Sequence, residues 1–134
     1  MNLVTTIRAI LIAESDVTDI VDTGDDAKIW DAWPRTITAP LIVIENDGEA
    51  QDPELDGTVE WVTSEVTITC RAETSTEAHT LQRAVRSALA GLDTDDWSAL
   101  LDYSTPASMP KKDGSTAHWY DQVMSFTFTF SEAA

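Results

Sequence analysis

From residue 120 to residue 131 the chain reads YDQVMSFTFTFS, and it alternates without a break. Tyr120, Gln122, Met124, Phe126, Phe128 and Phe130 fall on one side of an extended backbone. Asp121, Val123, Ser125, Thr127, Thr129 and Ser131 fall on the other. Successive strand side chains point to opposite faces, so the pattern demands a sheet with one apolar and one polar face. All three phenylalanines of the chain lie on the apolar side. Residues 58–71 make the same demand. Val62, Val66, Ile68 and Cys70 share a face, with Ser64 the exception, while Val59, Trp61, Thr63, Glu65, Thr67, Thr69 and Arg71 share the other. Helices laid against one face are the natural cover for such a sheet.

The sequence supplies those helices. Thr74 and Glu77 have the spacing of a capping box. Ala78, Leu81, Val85, Ala88, Leu89 and Leu92 then recur on one helical face, with Gln82, Arg83, Arg86 and Ser87 turned outward and Gly91 as the stop. Leu3, Ile7, Ile10 and Leu11, with Val4, predict a helix over 3–14 that Asn2 can cap. Asp16 can cap a short second helix through Val21, ended by Gly24 in DTGDD. Ile29 and Trp30 read as a short strand, and Pro34 and Pro40 bracket an irregular link. The run LIVIEN, 41–46, reads as a strand buried on both faces, and DGEAQDPELDG, 47–57, as a polar mobile loop. Residues 97–101 read as one more helical turn, and Asp113-Gly114 as the tip of a hairpin leading into the last strand. The expected fold is α+β. It is a single domain over 1–134, with 131–134 a short tail and a mostly antiparallel sheet carrying helices on one face.

The chain has 134 residues and a hydrophobic share of 43%, enough for one core. Its 24 acidic and 8 basic residues give a net charge of −16. That excludes binding to nucleic-acid phosphates through a broad basic face. A saline habitat and a functional acidic surface both account for such a surplus. No apolar run approaches the roughly 20 residues needed to cross a bilayer, and Arg8 interrupts the apolar stretch 7–13. No targeting segment and no membrane are expected, and synthesis is expected in a cytoplasm.

Reactive chemistry is hard to find. Cys70 is the only cysteine and sits within a strand pattern, where a free thiol packs as a small hydrophobe. His79 and His118, the only histidines, belong to no metal or nucleophile signature. Phosphate-loop, GxGxxG and GxSxG patterns are missing. Asp93, Asp95 and Asp96 lack the glycine and distal glutamate of a calcium loop. We expect no catalytic residue, metal or cofactor. The five tryptophans are more suggestive. Trp30, Trp33, Trp61 and Trp119 read either as packing at the rim of the core or as anchors of a subunit interface.

The order of these pieces resembles a family. The passage KIWDAWPRTITAPLIVIE leads through a polar loop into VTSEVTITCRAET, then STEAHTLQRAVRSAL, and the chain closes on DQVMSFTFTF. Over residues 3–130 this is similar to the tail-completion or tail-terminator proteins of long-tailed bacterial and archaeal viruses and prophages. The resemblance implies a structural virion protein at the head–tail junction. It implies a ring, a hexamer in this family, that caps the tail tube, ends its growth and joins it to the head–tail connector. The implied partners are further copies of the chain, the tail tube protein and the connector, with DNA passing through the lumen without specific binding. An acidic lumen wall would repel phosphate. Asp47, Glu49, Asp52, Glu54 and Asp56 in the 46–58 loop are the candidates for its rim. A head-completion connector, a tail tube subunit, or an acidic DNA-mimicking inhibitor are the alternatives.

Overall fold

The computed structural model describes residues 3–22, 27–53, 59–90, 97–104, 109–112 and 117–131. Helices α1 (Leu3–Ile12) and α2 (Ser15–Val21) come first, followed by β1 (Ile29–Trp30), β2 (Leu41–Pro53) and β3 (Val59–Ala72). Helix α3 (Ser75–Leu89), β4 (Trp97–Ser104) and β5 (Tyr120–Ser131) complete the chain. The strands form one sheet in the order β1-β2-β3-β5-β4, with β1 parallel to β2 and every other pair antiparallel. The fold is α+β, and the core lies between one sheet face and the three helices.

The alternation decides which residues enter that core. Val62, Val66, Ile68 and Cys70 of β3 and Met124, Phe126, Phe128 and Phe130 of β5 are buried against Leu3, Ile7 and Leu11 of α1, Val17 and Val21 of α2, and Leu81, Val85 and Leu89 of α3. Phe128 lies between Ser64 on β3 and Ala99 on β4. Small neighbours on both sides leave room for its ring, which accounts for the polar exception on the apolar face of β3. Ser64 is fully buried, and its hydroxyl donates to Asn46 Oδ1 at 2.8 Å.

Helix α3 begins as its sequence implies. Thr74 is extended, and its hydroxyl accepts the Glu77 N–H at 3.2 Å. Gln82, expected to face outward, is instead 5% exposed and donates to Ser104 Oγ at 3.4 Å. It lies one turn beyond Ala78 on the buried stripe, where a polar side chain needs a partner and β4 supplies one. The helix is capped by extended Ala90, and Gly91 and Leu92 lie outside the described residues. Helix α1 ends at Ile12, before the expected 14. Glu14 precedes α2 as its N-cap residue, so Asp16 falls inside the first turn.

Three expectations are corrected. Residues 47–53 are not a loop: β2 continues through them, paired with β3 as far as Pro53. The turn-like Asp47-Gly48 pair is absorbed as a bulge between Asn46 and Gly48. There Gly48 takes a φ of 157°, which L side chains rarely adopt, and its N–H donates to Asn46 Oδ1. Residues 97–101 are the start of β4 rather than a helical turn, because Trp97, Ala99 and Leu101 pair with Phe130, Phe128 and Phe126. An apolar run this short carries no decisive period. The last strand takes β3 and β4 as its partners, not a preceding hairpin strand. The expected hairpin survives as a single bridge, Lys111 to His118, and its Asp113-Gly114 tip lies outside the described residues.

Phe128 sits at the centre of the packed face. Phe128→Ala is expected to lower stability by about 3–5 kcal/mol, from lost burial and the cavity left behind. Urea unfolding followed by far-UV circular dichroism reads this directly. A loss below about 1 kcal/mol would contradict the packing described.

Candidate assembly surfaces

The second face of the sheet is divided along its length. At one end Leu41, Arg71 and Asp121 form a row across β2, β3 and β5, and Val43, Thr69 and Val123 form the next. By alternation these residues point away from the helices. Leu41 and Val43 are nevertheless fully buried, and Thr69 and Asp121 nearly so. Trp33 from the link before β2 and Trp119 from residues just before β5 reach Arg71 at this end. The Arg71 guanidinium lies 4.3 Å from the Trp33 ring and 6.0 Å from the Trp119 ring, the second at the outer limit of a cation–π contact. Its Nε and Nη2 donate to the two carboxylate oxygens of Asp121 at 2.8 and 2.9 Å. Only a planar guanidinium offers a bidentate fork and a stacking face together. Lys112 extends the series, 4.3 Å from the Trp119 ring and 3.5 Å from exposed Glu73.

Farther along, the same face changes character. Glu45, Thr67 and Ser125 form one row, and Thr63, Thr129 and Ser98 another. These side chains are half-buried, Glu65 is exposed, and Leu100 is 64% exposed beside Thr127. The result is a hydroxyl-rich strip interrupted by an apolar side chain.

The acidic candidates lie on or beyond β2. Asp47 is exposed at the bulge, where its carboxylate accepts a hydrogen bond from Thr67 Oγ1. Glu49 and Asp52 are opposite Ser64 and Trp61 on β3. Glu54 and Asp56 lie outside the described residues. Beyond Val43, β2 has no strand on its outer side among the described residues. Bulge, acids and Pro53 are features that protect an open edge from random pairing.

The tryptophans separate into different places. Trp33 and Trp119 meet around Arg71. Trp61 is at the far end of β3, between Asp52 and Ser131. Trp30 lies on β1 at the sheet margin, 43% exposed, beside a cleft lined by Val4, Thr5, Arg8 and Asp31. Arg8 of α1 fixes this margin by donating to the Ile29 carbonyl at 3.2 Å. Sequence reading missed the Arg71–Asp121 pair. The two residues are 50 positions apart, and only the β3–β5 register makes them neighbours.

Cys70 is fully buried on the helix-covered face. Burial pushes its thiol pKa well up, and the negative charge of Asp121 adds to the effect. A thiol in this setting is a poor nucleophile. Among the described residues no group of three or more His, Cys, Asp or Glu side chains is placed to hold a metal. No described helix is long and apolar enough to cross a membrane.

Comparisons with known proteins identify the family. The sequence matches the family described as Tail completion protein gp17 over residues 5–131. No curated protein sequence matches it significantly. Its fold is similar to that of a chain in a solved structure described as the virion of a native gene transfer agent (GTA) particle. That likeness has a TM-score of 0.61 and 18% identity, and covers 96% of this chain and 94% of the other.

Three measurements test the local chemistry. Asp121→Ala leaves a guanidinium only 13% exposed without its carboxylate, and a loss of about 3–5 kcal/mol is expected. Arg71→Lys keeps the charge but loses fork and stack, so it should also destabilise and should shift tryptophan emission. Unchanged urea midpoints would refute the clamp. A thiol reagent at neutral pH should label Cys70 only once the protein unfolds; rapid labelling of the folded protein would refute its burial.

Proposed function

Because the chain belongs to the tail completion protein gp17 family and is therefore a structural protein of the virion tail, we propose that it forms a closed ring at the head-proximal end of the tail tube. The ring, a hexamer in this reading, ends tube growth and joins the tail to the head–tail connector, and DNA passes through its lumen. The match over residues 5–131, which runs from within α1 to the end of β5, carries this reading. The chain acts by assembly and catalyses nothing.

Physical features support the details. A ring needs a heterologous interface, with different patches of one molecule meeting in a rotation that closes. The molecule has unlike flanks: a β1 margin with exposed Trp30 at one side, and β4 with exposed Leu100 at the other. In this reading Trp30, Trp33, Trp61 and Trp119 anchor contacts between copies, Trp33 and Trp119 through the part of their rings left free by Arg71. The acids of β2 and the segment after it, Asp47, Glu49, Asp52, Glu54 and Asp56, rim the lumen. Carboxylates there repel phosphate and let DNA slide instead of sticking.

The net charge of −16 per copy sets copies against one another, so assembly should depend on salt. Native mass across a salt series should show a closed ring of about six copies at high ionic strength. Lowering the salt should reduce both ring content and thermal stability. Added to purified tail tubes, the protein should bind one end and halt elongation. Open-ended stacks would instead identify a tube subunit. A chain that is monomeric in every salt and binds no tube end would refute the ring.

A further inference from the structure

Helix α3 carries more cations than carboxylates in a very acidic molecule. Glu77, in its first turn, is its single carboxylate, and Arg83 and Arg86 follow on the exposed side. Among the described residues neither arginine has an ion-pair partner. The other cations of the fold are differently placed. Arg71 is held by Asp121, Lys112 contacts Glu73, Arg8 donates to backbone carbonyls, and Lys28, Arg35 and Lys111 lie on segments between the helices and main strands. Shallow depressions run along the exposed side of α3, one bounded by Arg83, Arg86, Ser87 and Ala90, and a neighbouring one by Arg83, Ile20, Asp16 and Asp19. A large aromatic side chain has somewhere to rest there, next to two free guanidinium groups.

The complement lies elsewhere on the same molecule. Helix α3 packs over β3, β5 and β4. Trp30 and Asp31 sit at the other margin of the sheet, where β1 ends the strand order. Both are exposed, and Asp31 has no ion-pair partner among the described residues. Strand addition at this margin is blunted, since β1 is only two residues long and Arg8 already takes the Ile29 carbonyl. Recognition there must come from side chains. An indole beside a carboxylate is a match for arginine, one by cation–π stacking and the other by a charge-assisted hydrogen bond. The molecule already uses this combination internally, where Arg71 lies against Trp33 and is bound by Asp121.

We infer that Arg83 and Arg86 of one copy receive the Trp30–Asp31 margin of the next copy. The inference rests on the ring reading and names the two faces that would meet in it. Because the two patches are different parts of the molecule, the contact is head-to-tail, the arrangement a ring requires. It also leaves the acidic part of β2 free to face the lumen. Asp16 and Asp19 of α2 border the Arg83 side of the groove, so repulsion directs the incoming Asp31 toward Arg86. Arginine and tryptophan are the residue types that most often dominate such interfaces.

Charge exchange tests this. Arg83, Arg86 and Asp31 are all exposed, so Arg83→Glu with Arg86→Glu should leave the circular dichroism spectrum and thermal midpoint close to wild type. Self-association, read by sedimentation velocity at the salt where wild type assembles, should weaken by about a hundredfold. Trp30→Ala should weaken it in the same direction. Adding Asp31→Arg to the α3 double variant restores opposite charges across the contact and should recover assembly. Rings from the α3 double variant at wild-type concentration would overturn the inference and leave the ring reading intact. Failure of the triple variant to recover would overturn Asp31 as the counterpart. Rings that form normally but lose binding to the connector or to duplex DNA would assign α3 to that partner and overturn the inference. A wild type that neither self-associates nor binds tube ends would bring down both readings.

Discussion

The pairing of β3 with β5 is the constraint on which the rest of the molecule depends. It runs from Trp61 opposite Ser131 to Ala72 opposite Tyr120 without a register break. Everything between those strands, including α3 and β4, is an excursion that must return. The last strand then enters the sheet between β3 and β4 instead of joining its edge. Such non-local pairing incurs loop-closure entropy before it gains contacts, so the fold forms only when distant parts of the chain agree. The same pairing aligns the apolar residues of both strands under the helices. A slip of one residue would turn the phenylalanines of β5 out of the core.

On the far side of the sheet that register has a second consequence. It sets Arg71 directly opposite Asp121, and the bidentate pair becomes a post around which otherwise irregular segments are arranged. Trp33 reaches it from the link before β2, and Trp119 from the bridge before β5. Neither segment has a ladder of its own long enough to hold it. An arginine between two indoles supplies dispersion and electrostatic contact where the backbone supplies little. This explains why a face that looks polar in sequence is dry at one end and hydroxyl-rich and accessible at the other.

The accessible part gives the chain its character as an assembly component. Several unlike patches are exposed on different elements. Exposed Asp47 marks the bulge of β2, Trp30 and Asp31 occupy the β1 margin, and Arg83 and Arg86 lie on the exposed side of α3. Separation of unlike patches favours association that continues from copy to copy, because no patch is its own complement. In the proposed ring the net charge of −16 opposes association at long range, and contact chemistry must overcome it at short range.

Much of this was legible from residues alone. Alternation in 120–131 and 58–71 and the Thr74–Glu77 start of α3 are local patterns, and local patterns report local geometry. They sufficed for the α+β class, for helices on one face, and for the buried identity of Cys70, Phe126 and Phe128. The order of those patterns along the chain also sufficed to suggest the family. Where local signals compete, the sequence was ambiguous and tertiary structure decided. Asp47-Gly48 reads as a turn, yet the ladder offered by β3 carries the strand through it at the cost of one bulge. Residues 97–101 read equally well as helix or strand until Phe126, Phe128 and Phe130 present an edge to pair with. Gln82 reads as surface until β4 brings Ser104 to it. The Arg71–Asp121 clamp and the meeting of Trp33 and Trp119 around it had no local signal at all. Both depend on which strands become neighbours, and a one-dimensional pattern does not contain that.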